Sequence, residues 1–178
     1  MAVLLSIEPA KPEDAKAILT LKRDAWLQTY VNAEQGITAE DILKAFSDAD
    51  LDQAIKNWQK AIANETDDSP KRTFVAKIDG KVVGYTSPDN ENGKKQLGAM
   101  YVATGAQGQG VGSKLLKKAI EWHGRSNDIY AYAVSYNSKA IGFYEHFGFK
   151  KTGVERPEEI DENGIKLLPD IEMVLKAN

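Results

Sequence analysis

Gln107-Gly108-Gln109-Gly110-Val111-Gly112-Ser113-Lys114 is the stretch whose reading decides the rest of the chain. Three glycines alternate through it. Val111, Leu115, Leu116, Ala119 and Ile120 follow at the spacing of a helix that buries one face. Just upstream, Leu97-Gly98-Ala99-Met100-Tyr101-Val102 reads as a short buried strand. The local order is therefore strand, glycine-rich turn, helix. Glycines let a ligand come close to bare backbone N–H groups. A helix N-terminus adds unpaired donors and about half a positive charge. Together these make an anion site, most often for phosphate. Neither common nucleotide motif fits. The dinucleotide pattern G-x-G-x-x-G wants its third glycine one residue beyond Gly112, and Gly112-Ser113-Lys114 has the wrong order for the P-loop ending G-K-[ST].

A second stretch lies downstream, Asn137-Ser138-Lys139-Ala140-Ile141-Gly142-Phe143-Tyr144-Glu145-His146-Phe147-Gly148-Phe149. With the first it resembles the GCN5-related N-acetyltransferase (GNAT) superfamily. That family's pyrophosphate loop, Q/R-x-x-G-x-G/A, is matched by Gln107, Gly110 and Gly112. Its later signature is matched by Asn137, Ala140, Phe143-Tyr144 and Gly148-Phe149. The close match spans roughly residues 95 to 150, and the N-terminal third matches only in the order of its elements.

The whole chain bounds what such a site can belong to. At 178 residues it has ample length for one domain, taken here as 1–178, with a real core. A 42% hydrophobic and 28% charged composition is that of an ordinary globular protein. The net charge of -3 and the lack of a basic block argue against nucleic acid as a partner. The chain has no cysteine, which excludes disulfides, thiolate metal sites and a cysteine acyl-enzyme. With only His123 and His146 besides, no metal site is expected. No signal peptide and no membrane span are read, so a cytoplasmic location is expected.

Taken in order, Leu4–Glu8 reads as a strand, and Pro12 opens a helix to about Tyr30 that buries Ile18, Leu21, Ala25 and Trp26. Thr38-Ala39-Glu40-Asp41 has the form of a capping box and starts a second helix. Leu51, Ile55, Trp58 and Ile62 continue as a helical stripe, read as core rather than as an acceptor wall or dimer face. Asn64–Pro70 is a polar, acidic surface loop. Strands at Arg72–Ile78 and Val82–Ser87 join through Asp79-Gly80, and a second turn, Asp89–Gly93, leads into the strand before the glycine loop. Ile129–Val134 is an uncharged buried strand. Phe149–Val154 and Ile171–Leu175 form a closing pair around the acidic, turn-rich Pro157–Gly164. The order β-α-α-β-β-β-α-β-α-β-β predicts a mixed α/β (α+β) fold with helices on both faces. The resemblance implies in addition that the central sheet is mostly antiparallel.

The resemblance also implies a chemistry: transfer of an acetyl group from acetyl-CoA to a primary amine, by direct attack in a ternary complex. Amides from Gly108, Gln109, Gly110, Val111, Gly112 and Ser113 would hold the cofactor's pyrophosphate, with Gln107 completing the motif. Met100, Tyr101 and Val102 would offer backbone groups to the cofactor, and the Val102 amide would stabilise the oxyanion, a contribution of about 3 kcal/mol. Tyr144, a phenol with an ordinary pKa near 10, would protonate the leaving thiolate. Asn137 would bind the pantetheine arm, and as a residue type it also suits a helix N-cap. Some family members carry a carboxylate on the strand before the loop or the strand after it, but Leu97–Val102 and Ile129–Val134 contain no acid and no histidine. Glu34 and Glu172 lie elsewhere and no spacing selects them, so no base is assigned. His123 falls in the last turn of a helix, where positive charge is favourable. His146 lies near a helix end.

For the acceptor, a small amine such as a polyamine is favoured over a protein N-terminus or lysine, because no peptide-binding extension is evident. A homodimer is left open. Two readings of other classes stay beside this one. The missing carboxylate suits a non-catalytic acyl-CoA sensor, which retention of Tyr144 and Asn137 disfavours. The glycine spacing disfavours a dinucleotide-dependent oxidoreductase.

Overall fold

The computed structural model describes residues 4–46, 48–90, 93–160 and 166–178. It opens with β1 (Leu5–Pro9), then a short 3-10 turn at Pro12–Asp14 running into α1 (Ala15–Tyr30). Pro12 occupies the first position of that turn, where its missing N–H costs nothing. Asp14, almost fully buried, accepts the Lys11 N–H at 3.0 Å and pairs with Lys77 Nζ at 3.0 Å. Lys77 also reaches Glu8 at 2.8 Å, so one lysine ties the start of α1 to β1.

The Thr38 capping box forms as read. The Thr38 hydroxyl accepts the Asp41 N–H at 3.1 Å, and the Asp41 carboxylate accepts the Thr38 N–H at 2.8 Å. The segment that follows departs from the sequence reading. Instead of one helical stretch there are two, α2 (Ala39–Lys44) and α3 (Asp48–Ala63). The last turn of α2 tightens, with Ala45 N–H on the Ile42 carbonyl and Phe46 N–H on Leu43. Phe46 then sets its ring edge-on to Trp26 at 5.3 Å, a contact a straight helix would forgo. Ile55, Trp58 and Ile62 of α3 pack against Ile18, Val75 and Tyr85, which is the core role read from their spacing.

Strands β2 (Phe74–Ile78) and β3 (Lys81–Asp89) turn at Asp79 and Gly80, with φ of 48° and 79°. Two consecutive left-handed residues suit a tight hairpin. Next come β4 (Lys95–Val102), α4 (Val111–His123), β5 (Ile129–Val134), α5 (Ser138–His146) and β6 (Lys150–Arg156). A small antiparallel ladder of β7 (Glu159–Ile160) and β8 (Lys166–Leu167) was not anticipated by the turn-rich reading of that segment. Strand β9 (Asp170–Leu175) closes the sheet. Of the segments read as turns, Glu91-Asn92 and positions 161–164 lie outside the described residues, as does the start of the chain at 1–3.

Seven strands form one sheet in the order β1-β2-β3-β4-β5-β9-β6. Every pairing is antiparallel except β4 with β5. Period-two alternation divides β5 between two cores. Ile129, Ala131 and Ala133 face Leu116, Ala119, Ile141 and Tyr144 of α4 and α5. On the other face Val134 and Tyr136 join Trp26, Tyr30, Ile37 and Ile42 of the α1–α2 layer.

Candidate active site

The parallel pair carries the site. Strands β4 and β5 are in register only at Lys95↔Ile129 and Gln96↔Tyr130, and beyond that they diverge. Leu97 is the one fully buried residue of β4; Gly98 is exposed and Ala99–Val102 are half-buried, with Met100, Tyr101 and Val102 bordering the opening. A bulge sets the divergence. Both Gly98 and Ala99 oppose Ser87 of β3, and Gly98 has φ of 59°. A side chain there would put its Cβ 2.0 Å from the Ser87 carbonyl oxygen, so only glycine fits. The wedge between the strands opens into a cleft of about 800 Å3.

The glycine loop borders one end of the cleft. Gly110, at φ 77°, caps α4, and Gly108 has φ of 75°. Nothing lies within 4 Å of a Cβ built at either, so the space above both is open. The N–H groups of Val111, Gly112 and Ser113, in the first turn of α4, have no intrahelical acceptor. Gly112 instead packs flush, and a Cβ there would meet Phe143 at 3.6 Å and Val102 at 3.7 Å. Gln107 Nε2 donates to the Val102 carbonyl at 3.1 Å and so fastens the loop to the end of β4. Its Oε1 accepts from Lys139 Nζ at 2.5 Å.

Met100, Tyr101, Val102, Gln107, Gly108, Gly110, Gly112, Ser113, Asn137 and Tyr144 all line the one cleft. Two other residues singled out from the sequence do not. Gln109 donates its side-chain amide to the Gly105 carbonyl at 2.8 Å, and the Val111 side chain is buried with Ala106 and Leu115. At Val111 only the backbone is available to a ligand. Lys139 was missed. It sits inside the second signature stretch and places a cation on the cleft wall next to Gln107.

Tyr144 projects from α5 between Phe143 and Phe149, with ring centroids 5.6 Å from each. It is therefore a core aromatic and a cleft residue at once, 6% exposed. Burial, with a smaller contribution from Tyr30, raises its phenol well above the usual range, so the hydroxyl keeps its proton at neutral pH. Asn137 caps α5, its Oδ1 accepting the Ala140 N–H at 3.1 Å. The remainder of its side chain engages Tyr30, whose hydroxyl also bonds to Tyr101. Trp26 Nε1 donates to the Tyr101 hydroxyl at 2.7 Å, and the Tyr136 hydroxyl donates to the Tyr30 carbonyl at 3.0 Å. These bonds join α1, β4 and α5 across the face opposite α4. Spacing could not reveal them, since Trp26 and Tyr101 are 75 residues apart.

Among the described residues that line the cleft, none is a carboxylate or an imidazole. Glu34 is exposed on its loop. His146 is exposed at the end of α5. His123 does not carry the positive charge that its helix position favours: its ring is buried, Nε2 donates to the Gln96 carbonyl at 2.7 Å, and burial lowers its pKa. Among the described residues no cluster of three or more His, Asp or Glu could hold a metal. No described helix is long and apolar enough to cross a membrane.

The splayed parallel pair and the glycine loop capping α4 lie within a stretch that matches a family of acetyltransferases. The family model of the GNAT acetyltransferases matches residues 29–149, and the chain belongs to that family. A probable N-acetyltransferase of Mycobacterium tuberculosis is 30% identical over 156 residues, covering 84% of this chain and 82% of its own. The spermine/spermidine N(1)-acetyltransferase of Bacillus subtilis strain 168 is 31% identical over 101 residues, 51% of this chain and 63% of that protein. Among solved structures, the PaiA N-acetyltransferase of Thermoplasma acidophilum in complex with coenzyme A superposes with a TM-score of 0.74. It does so at 19% identity, over 98% of this chain and 99% of that one. The chain is an acetyl-CoA-dependent N-acetyltransferase.

Proposed function

We propose that the acceptor is the primary amine of a small cationic molecule, with polyamines the leading class, and that the amine attacks acetyl-CoA directly in a ternary complex. The observation that carries this reading is the cleft itself. It runs from the glycine loop to Tyr144 and has an aromatic wall on the α1 side. The partial likeness to a spermine/spermidine acetyltransferase supports the polyamine class.

In this mechanism the free amides at the start of α4 hold the pyrophosphate, and Lys139 adds a cation beside it. The pantetheine arm lies between β4 and β5, where each strand has lost its partner and can bond to the ligand instead. The Val102 amide faces the developing oxyanion. Tyr144, held protonated by its burial, gives its proton to the departing thiolate as the carbon–sulfur bond breaks. Among the described residues that line the cleft there is no carboxylate or imidazole, and in this reading the ammonium of the acceptor loses its proton to solvent before attack. The amine enters from the α1 face, where Trp26, Tyr30 and Tyr101 shape the approach.

Thiol release from acetyl-CoA, followed against a panel of monoamines, diamines, polyamines and N-terminal peptides, tests the reading. Release driven by small amines and not by peptides is expected. Release with peptides alone would replace the small-amine acceptor by a protein. Tight acetyl-CoA binding with no release from any amine would move the chain to a sensor.

A further inference from the structure

On the α1 side of the sheet, Tyr132 of β5 is paired with Glu172 of β9, and its hydroxyl donates to Glu172 Oε2 at 2.8 Å. Lys94, just before β4, reaches into this pair. Its Nζ lies 2.6 Å from Glu172 Oε2 and 2.8 Å from the Tyr132 hydroxyl oxygen. The same nitrogen stands 4.0 Å from the Tyr130 ring centroid and 5.4 Å from that of Tyr132. A primary ammonium is thus held by one carboxylate, one phenol oxygen and two aromatic faces, the combination that recognises alkylammonium ions.

We propose that Tyr130, Tyr132 and Glu172 form a subsite for a remote ammonium group of the acceptor, occupied in the free protein by the chain's own Lys94. The proposal rests on the small-amine reading above. Its location follows from Tyr132, which lines the catalytic cleft while holding Glu172. The unequal exposure of the two partners identifies which is exchangeable. The Glu172 side chain is 11% exposed and that of Lys94 37%. Glu172 is held without the lysine as well, because the Tyr132 hydroxyl donates to its carboxylate at 2.8 Å. Arg156, stacked 4.2 Å from the Tyr132 ring centroid, is engaged by Asp170 at 2.6 and 2.8 Å and adds only a longer-range positive charge. A diamine or polyamine carries the same group as Lys94, an ammonium on a short methylene chain. Exchanging one for the other leaves the buried carboxylate paired throughout. The tethered lysine competes at an effective concentration in the millimolar range, so it sets the threshold that an acceptor must exceed.

Calorimetric binding of spermidine and of propylamine to the CoA-saturated protein, where no transfer occurs, tests this with the variants Lys94→Met, Glu172→Gln and both together. Removing the competitor should tighten spermidine roughly ten-fold, the value of one charge-assisted hydrogen bond, and change propylamine far less. Adding Glu172→Gln to Lys94→Met should weaken spermidine by a similar factor, so that the double variant loses the gain; Glu172→Gln alone loosens Lys94 as well and should change spermidine far less. Melting temperature and CoA affinity report whether each variant is folded. Spermidine bound no tighter by Lys94→Met, or no weaker by the double variant than by Lys94→Met, would overturn the subsite. Because binding is read without turnover, failure of the subsite stands apart from failure of the transferase reading, which would show as no thiol release from any amine in the wild type.

Discussion

The two walls of the cleft are built by different means. The wall formed by β4, the glycine loop and α4 works through its backbone: a bulge at Gly98, left-handed turns at Gly108 and Gly110, and unpaired amides at a helix start. The opposite wall works through side chains that meet from distant parts of the chain: Tyr30 of α1, Tyr101 of β4 and Tyr132 of β5 line it, backed by Trp26 and Glu172 behind them. A pyrophosphate is the same in every enzyme that binds it, and a fixed backbone pattern suffices. An acceptor differs between enzymes, and side chains can change without disturbing the sheet. The two walls should therefore respond differently to substitution.

The largest effect should fall where the walls meet. Tyr144→Phe should lower turnover roughly hundred-fold, the usual contribution of a positioned general acid, with acetyl-CoA affinity unchanged. Steady-state kinetics beside calorimetry checks both halves of that statement. Turnover near the wild-type value would remove Tyr144 from the chemistry.

The acceptor's own proton gives the next effect. With no base among the described residues that line the cleft, kcat/KM should rise about ten-fold per pH unit up to the amine pKa near 10. Tyr144 adds no falling limb in that range, since its raised pKa keeps it protonated. A plateau starting near pH 7 would reveal a base and break the account of proton loss.

On the backbone wall, Gly110→Val forces a β-branched residue into φ 77°. The strain, about 1–2 kcal/mol, should weaken acetyl-CoA binding by roughly ten-fold as the loop shifts to relieve it. Gly112→Ala makes only ordinary contacts with Phe143 and Val102 and should change that affinity far less. Equal losses at both positions would contradict the geometry of the loop.

The smallest effect sharpens the contrast. Trp26→Phe removes the donor to Tyr101 while keeping an aromatic ring against Phe46. The amine KM should rise roughly five-fold, the worth of about 1 kcal/mol, while the acetyl-CoA affinity stays as it was. A matching loss of acetyl-CoA affinity would show that the walls are not separable.

The same division explains what the sequence made legible. Backbone-determined features leave local traces: the glycines of the loop, Asp79-Gly80 at the hairpin, Thr38 with Asp41 at a cap, and the periodic apolar residues of α4. All of these could be read from neighbours in the chain, as could the order of the strands. The bulge at Gly98 was not read, because its cause is the Ser87 carbonyl on another strand. The break between α2 and α3 escaped for a similar reason: Phe46 answers to Trp26, twenty positions away and on another helix. Tyr30, Tyr132 and Lys94 are unremarkable as a sequence, and only the sheet order β4-β5-β9 brings the last two to Glu172. Lys139 is different. It lay inside a stretch already singled out, and its charge beside an anion loop was a signal that could have been used.

The most direct test of the central claim is a crystal structure of the protein with acetyl-CoA. The account predicts the pyrophosphate on the amides of residues 108–113, the pantetheine arm between β4 and β5, and the thioester sulfur within hydrogen-bonding reach of the Tyr144 hydroxyl. A cofactor bound outside the β4–β5 wedge, or a thioester remote from Tyr144, would contradict it.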